Sequence, residues 1–218
     1  MRTVFELAGL FVTAFCVGLS GAVMPGPLLA VTIEESTRRG AATGPLVVLG
    51  HAFLEAALVT ALVLGLQDFL QQRLVLGTIA CVGGVLMCWM GQDMLRAARH
   101  TTLDGPRVTR RLHPVVAGVV VSLANPYWTI WWATIGLAYL VTGLRFGVAG
   151  ILVFFTGHIL SDLAWYSFVS VGIARGRRVL SDRAYQGLIM ACGGALALFG
   201  VWFLWTGLHT WRGAWPHP

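Results

Sequence analysis

Six long apolar runs, separated by short polar stretches, limit what this chain can become. They cover residues 7–33, 45–66, 74–95, 114–141, 146–173 and 185–210. About 20 apolar residues cross a bilayer as a helix. In lipid a lone strand cannot satisfy its own backbone, whereas a helix can. The runs therefore predict an all-α polytopic membrane protein with six transmembrane helices in a single domain, 1–218. Composition agrees: only 11% of the 218 residues are charged, where soluble domains carry about 25%. There is no Lys, and all 15 basic residues are Arg. A phosphate-binding loop of the Walker A type needs a Lys, so that class is excluded. The four cysteines, Cys16, Cys81, Cys88 and Cys192, lie in apolar runs without a CxxC pair and read as buried thiols.

The runs fall into two corresponding sets of three. Gly50-His51-Ala52-Phe53-Leu54-Glu55 in the second run is echoed 107 positions later by Gly157-His158-Ile159-Leu160-Ser161-Asp162 in the fifth. The first and fourth runs are both interrupted, at Met24-Pro25-Gly26-Pro27 and at Ala124-Asn125-Pro126-Tyr127. Proline has no N–H to donate, so the carbonyls of Gly21, Val23 and Ser122 should lose their helical partners. Freed backbone at membrane depth must be packed by protein or must line a wet cavity. Gly83-Gly84 and Gly193-Gly194 in the third and sixth runs should permit close helix contact. Three spans per half is an odd number, so the halves would lie in opposite senses. The expectation is two inverted-topology three-helix repeats, 1–97 and 114–218, joined by a basic linker, 98–113. Helices 1 and 4 would be broken at their prolines. Secondary transporters share this plan, with the binding site between the repeats near the midplane.

Arginine sets the orientation. Eleven Arg lie in the stretches after runs one, three and five, and four lie on the opposite side. The richer side should face the cytoplasm, which puts both termini outside. Trp202, Trp205, Trp211 and Trp215 would then anchor the outer interface. The linker's charge reads as topogenic, so no nucleic-acid partner is expected.

Each hexapeptide places a histidine and a carboxylate at i and i+4, one turn apart on one helix face. Ionisable groups inside a membrane are costly and mark functional sites by default. Glu55 and Asp162 could carry protons or bind a cationic group, or could simply be tied to their own histidines. His51 and His158 could donate to the carboxylate one turn on or act directly. Two imidazoles and two carboxylates also suit a first-row divalent ion, so His51, Glu55, His158 and Asp162 form an alternative metal set. Asn125 could cap the backbone that Pro126 frees, or contact a solute. Trp128 and Trp132 are one turn apart and could form one wall of a cavity or face lipid. Glu34 and Glu35 stand before Arg38 and Arg39 and should pair with them at the interface. No nucleophile–base pair is evident, so an enzyme is not expected, and no cofactor motif is present.

Pro25-Gly26-Pro27 in the first run, Asn125-Pro126-Tyr127-Trp128 in the fourth, and the paired Gly-His hexapeptides resemble the lysine exporter (LysE/RhtB) superfamily. The resemblance covers nearly the whole chain. Pro25, Gly26, Pro27, Asn125 and Pro126 match that family's break motifs. The His/carboxylate pairs depart from its better-studied amino-acid exporters. The resemblance implies an exporter of amino acids or similar small organic solutes, in a bacterial or archaeal cytoplasmic membrane. Proton antiport would run through a midplane site built from Glu55, Asp162, His51, His158, Asn125, Trp128 and the two breaks. The alternative is a divalent transition-metal exporter. A homodimer is consistent with so small a chain.

Overall fold

The computed structural model describes residues 2–66, 69, 72–98, 100, 112–176 and 181–212. Among these the structure is helical. It comprises α1 (Arg2–Ala22), α2 (Pro27–Arg39), α3 (Thr43–Ala61), α4 (Arg73–Ala98), α5 (Pro114–Leu123), α6 (Pro126–Leu144), α7 (Gly147–Gly176) and α8 (Asp182–Arg212). Five helices are long and apolar enough to cross a membrane, or six if α5 and α6, bent by 65°, count as one span. Many large apolar side chains point outward, among them Phe5, Phe53, Trp89, Phe168 and Leu198. Lipid tails are the solvent that suits such an exterior. Trp202, Trp205 and Trp211 belong to it. Most of the linker and Trp215 lie outside the described residues.

The first run departs from the sequence reading. It was expected as one broken span over 7–33, but α1 begins at Arg2 and is long enough to cross alone. Beyond the Pro-Gly-Pro segment, α2 is a separate helix, with Pro27, Leu28, Leu29, Thr32, Ile33 and Glu35 buried. Its C-terminal end carries the expected ion pairs, Glu34–Arg38 at 3.9 Å and Glu35–Arg39 at 2.6 Å.

Two of the three carbonyls expected to lose their helical partners find another donor. The Gly21 carbonyl accepts from Met24 N–H at 3.1 Å, and the Ser122 carbonyl accepts from Asn125 N–H at 3.0 Å. Each chain tightens into an i→i−3 turn before the proline, which replaces the missing donor. Asn125 then caps α6, its Oδ1 accepting from Tyr127 N–H at 3.1 Å. A π-helical turn at Trp132–Gly136 widens α6. Another, Leu62–Leu66, ends α3 and contains Gly65 at φ 110°, a left-handed value that suits glycine.

Glycine sets the closest helix contacts, though not at all the expected positions. Gly77, Gly84 and Gly91 of α4 recur every seven residues on one face. They meet Gly207, Gly200 and Gly193 of α8, spaced alike and running the other way. A Cβ on Gly84 would sit 2.9 Å from the Gly200 carbonyl, and one on Gly200 would sit 2.8 Å from the Gly84 carbonyl. Gly83 instead faces the ring of Pro126, and a Cβ on Gly194 would meet nothing within 4 Å. The doublets were therefore only half informative, because one member of each lies off the seam. Two further glycine contacts matter for the site. Gly50 of α3 lies against the Val115 backbone of α5, and Gly118 of α5 lies against the Val47 carbonyl of α3. Likewise Gly157 of α7 packs on the Phe11 carbonyl of α1, and Gly18 of α1 packs on His158 and Ser161 of α7.

Candidate functional site

α3 and α7 pack directly, with Gly44 of α3 against the Tyr166 carbonyl of α7, and their hexapeptides meet in one cluster. His51, Glu55, His158 and Asp162 are all buried, with 6%, 1%, 5% and 4% of their surface exposed. One ligand atom from each can be chosen so that all four lie within 4.8 Å of one another. The two halves of the sequence thus contribute equally to one cluster.

The pairing is crossed. Each histidine was expected to serve the carboxylate one turn along its own helix. His51 does so, with Nε2 at 3.1 Å from Glu55 Oε1. His158 Nε2, however, lies 3.1 Å from Glu55 Oε2 and 3.7 Å from its own Asp162 Oδ2. His51 Nε2 also reaches across to Asp162 Oδ2 at 3.5 Å. Close packing of α3 on α7, with Gly44 against the Tyr166 carbonyl, makes the partner across the interface as near as the partner along the helix.

The two carboxylates are held very differently. Glu55 Oε1 accepts the indole N–H of Trp128 at 2.9 Å and of Trp132 at 2.7 Å. Both tryptophans are buried, so neither faces lipid, and Trp128 lines a cavity beside the cluster. Hydrogen bonds to an ionised acceptor are the strong ones. By contrast Asp162 Oδ2 has no hydrogen-bond partner, and neither does Glu55 Oε2. The histidines differ too. His51 Nδ1 is 2.7 Å from Ser122 Oγ, whereas His158 Nδ1 faces Gly18 and has no hydrogen-bond partner. Trp131 stacks on the His158 ring at 4.7 Å between centroids.

A cavity of ≈ 60 Å³ opens beside the cluster. Its lining includes the four ionisable residues, Asn125, Leu28 and Tyr166. A smaller cavity of ≈ 40 Å³ adjoins it, lined by Pro25, Gly26 and Asn125 among others. Among the sequence candidates, His51, Glu55, His158, Asp162, Asn125 and Trp128 line the first space, and Pro25 and Gly26 line the second. Pro27 and Pro126 line neither; they start α2 and α6. Sequence reasoning did not single out Gly18, Tyr166 or the side chain of Ser122. A Trp four residues beyond Trp128 was the legible signal for Trp132. For Ser122 and Gly18 there was none, since their role depends on which helices touch.

Comparison with known proteins adds the family. A threonine efflux protein of Escherichia coli (strain K12) is 27% identical over 213 residues, covering 92% of this chain and 96% of its own length. Its counterpart in Salmonella typhi is 27% identical over 206 residues, with the same coverage. The chemotactic transduction protein ChpE of Pseudomonas aeruginosa is 30% identical over 165 residues, covering 73% of this chain and 79% of its own. No solved structure matches. The family of LysE type translocators matches residues 19–215, so all but the two ends of the sequence is accounted for, and this multi-pass chain belongs to that family.

Proposed function

We propose that this protein exports an amino acid, or a similarly small organic solute, from the cytoplasm by proton antiport. One observation carries the reading: two His/carboxylate pairs from corresponding helices converge, buried, beside a cavity flanked by both helix breaks. Membership of the translocator family supports it, as does the likeness to proteins named for threonine efflux.

The repeat plan is part of the proposal. The antiparallel glycine seam between α4 and α8 supports two halves of opposite sense. In this scheme the first three spans and the last three rock against one another around the cluster. The solute's carboxylate would lie near the start of α2, where Leu28 borders the cavity. The first N–H groups of a helix have no carbonyl behind them and carry partial positive charge. The solute's ammonium group would lie toward Asp162, within reach of the Trp128 and Trp131 ring faces. Asp162 takes the proton as the ammonium leaves. The present cavity holds a few waters at most, so a solute enters only when the helices part. The Arg-rich ends would face the cytoplasm of a bacterial or archaeal cell, with both termini outside, and two chains would pair as a homodimer.

The test is flux. Purified protein is reconstituted into vesicles loaded with labelled threonine and a panel of other small amino acids, with chelator present and an inward proton gradient imposed. Export should exceed that of protein-free vesicles and fall at least tenfold with Glu55→Gln plus Asp162→Asn. Flux at the protein-free level for every solute in the panel would sink the proposal.

A further inference from the structure

We infer that His51, Glu55, His158 and Asp162 form a binding site for one first-row divalent cation, of the Zn²⁺ class, that bridges α3 and α7. The inference does not rest on the amino-acid reading.

Geometry is the first support. Zn²⁺ bonds to imidazole nitrogen and carboxylate oxygen are about 2.0–2.2 Å long, in tetrahedral sites. The edges of such a tetrahedron are therefore about 3.3–3.6 Å. Across the cluster, His51 Nε2 stands 3.1 Å from Glu55 and 3.5 Å from Asp162. His158 Nε2 stands 3.1 Å from Glu55 and 3.7 Å from Asp162. With Glu55 Oε2, Asp162 Oδ2 and the two Nε2 atoms as ligands, three of these spacings lie within a few tenths of an ångström of a tetrahedral edge; the fourth, from His51, is to Glu55 Oε1.

Satisfaction of polar atoms is the second support. If the cluster were only a hydrogen-bonded knot, it would be a poor one. Glu55 Oε2 and Asp162 Oδ2 are buried without hydrogen bonds, and each such group costs about 1–3 kcal/mol or more when charged. Glu55 Oε2 stands 3.1 Å from His158 Nε2, and Asp162 Oδ2 stands 3.5 and 3.7 Å from the two imidazoles. A cation at their centre supplies the missing partner to both. Its charge also balances two carboxylates with both histidines neutral.

The surroundings are the third support. A metal-bound histidine usually donates its other ring N–H to an oxygen that fixes ring and tautomer. His51 Nδ1 has that oxygen, Ser122 Oγ, at 2.7 Å. The indoles of Trp128 and Trp132 anchor Oε1 of Glu55, while Oε2, without a hydrogen bond, stands 3.1 Å from His158 Nε2. Mixed imidazole and carboxylate donors select Zn²⁺, Ni²⁺ or Mn²⁺ over Ca²⁺ and Mg²⁺, which take oxygen ligands.

The experiment is direct metal binding to the full chain in detergent, stripped with chelator and without any amino acid. Titration with Zn²⁺ should give one ion per chain, with Mg²⁺ and Ca²⁺ giving no heat. His158→Gln and Asp162→Asn should each weaken binding at least 100-fold. Ser122→Ala, which removes only the outer hydrogen bond, should weaken it about 10–100-fold. His209→Gln, remote from the cluster, should change nothing. Because a cluster variant can fail to fold, the wild type is also loaded with Co²⁺. Intense visible absorption of tetrahedral Co²⁺ supports the site. Weak octahedral bands, or Zn²⁺ binding that survives both cluster variants, would overturn it as adventitious. Amino-acid flux measured in chelator reports on the export proposal separately, so either can fail alone.

Discussion

Replacing Gly50 with alanine adds one methyl group at the contact that registers α3 against α5. Its Cβ would overlap the Val115 carbonyl oxygen and stand 2.7 Å from the carbonyl carbon. Non-bonded carbons rest at about 3.5–4.0 Å, so the helices must part by roughly 1 Å. Both sides of the contact are backbone, and neither can rotate away. Overpacking of this kind costs about 1–3 kcal/mol, and the upper end applies here. Alanine recovers about 0.5–1 kcal/mol over glycine in a helix interior. The net loss is about 1–2.5 kcal/mol, which is roughly 2–10 °C in Tm for a chain of this size. The same displacement carries the next residue, His51, away from Ser122 Oγ, now at 2.7 Å. Thermal unfolding in detergent is the assay, with Gly194→Ala as comparator, because a Cβ there meets nothing within 4 Å. Gly194→Ala should melt at or slightly above the wild-type temperature. If Gly50→Ala also melts at or above it, the close α3–α5 approach is wrong.

Trp132→Phe removes the 2.7 Å N–H bond to Glu55 while keeping most of the ring. A lost bond to a charged partner costs about 1.5–3 kcal/mol, so Tm should fall clearly more than for Trp202→Phe on the apolar exterior. Equal shifts would show that the indoles do not hold Glu55. Arg39→Ala should lower stability by less than about 1 kcal/mol, since its partner contact lies at a partly exposed end. A larger fall in Tm would mean that the pair is more than an interfacial tie. A protease site inserted in the linker 98–113 should leave the cut halves associated through size-exclusion chromatography in mild detergent. Separation of the halves would count against the interface of α4 with α8 as a main fastening.

Much of this arrangement was legible in residue spacing. Runs of about 20 apolar residues located the helices, because length and hydropathy suffice when lipid is the solvent. The 107-residue echo of Gly-His-x-x-x-acid located the cluster, because costly groups repeated in register rarely lie apart. What spacing could not show was who pairs with whom. Glu55 and Asp162 look equivalent on paper, yet two indoles from α6 hold one and none holds the other. That asymmetry arises from Trp128 and Trp132, whose counterparts are missing at the first break. The crossed histidine pairing likewise depends on the distance between α3 and α7, which pack closely at Gly44. The first run misled because α1 already reaches across the membrane from Arg2, so α2 did not need to complete it.

The seam between α4 and α8 has a property of its own. Read toward the C-terminus of either helix, the contact surface is a glycine, six other residues, a glycine, six others, a glycine. Turning the pair end for end places Gly91 where Gly207 was and Gly77 where Gly193 was. Such a fastening is indifferent to which helix is which, like a zip whose two tapes are interchangeable. The lock therefore holds the two halves of the molecule together without telling them apart. In the proposed exporter, a difference between an inward and an outward face would then be written elsewhere, as in the unequal partners of Glu55 and Asp162.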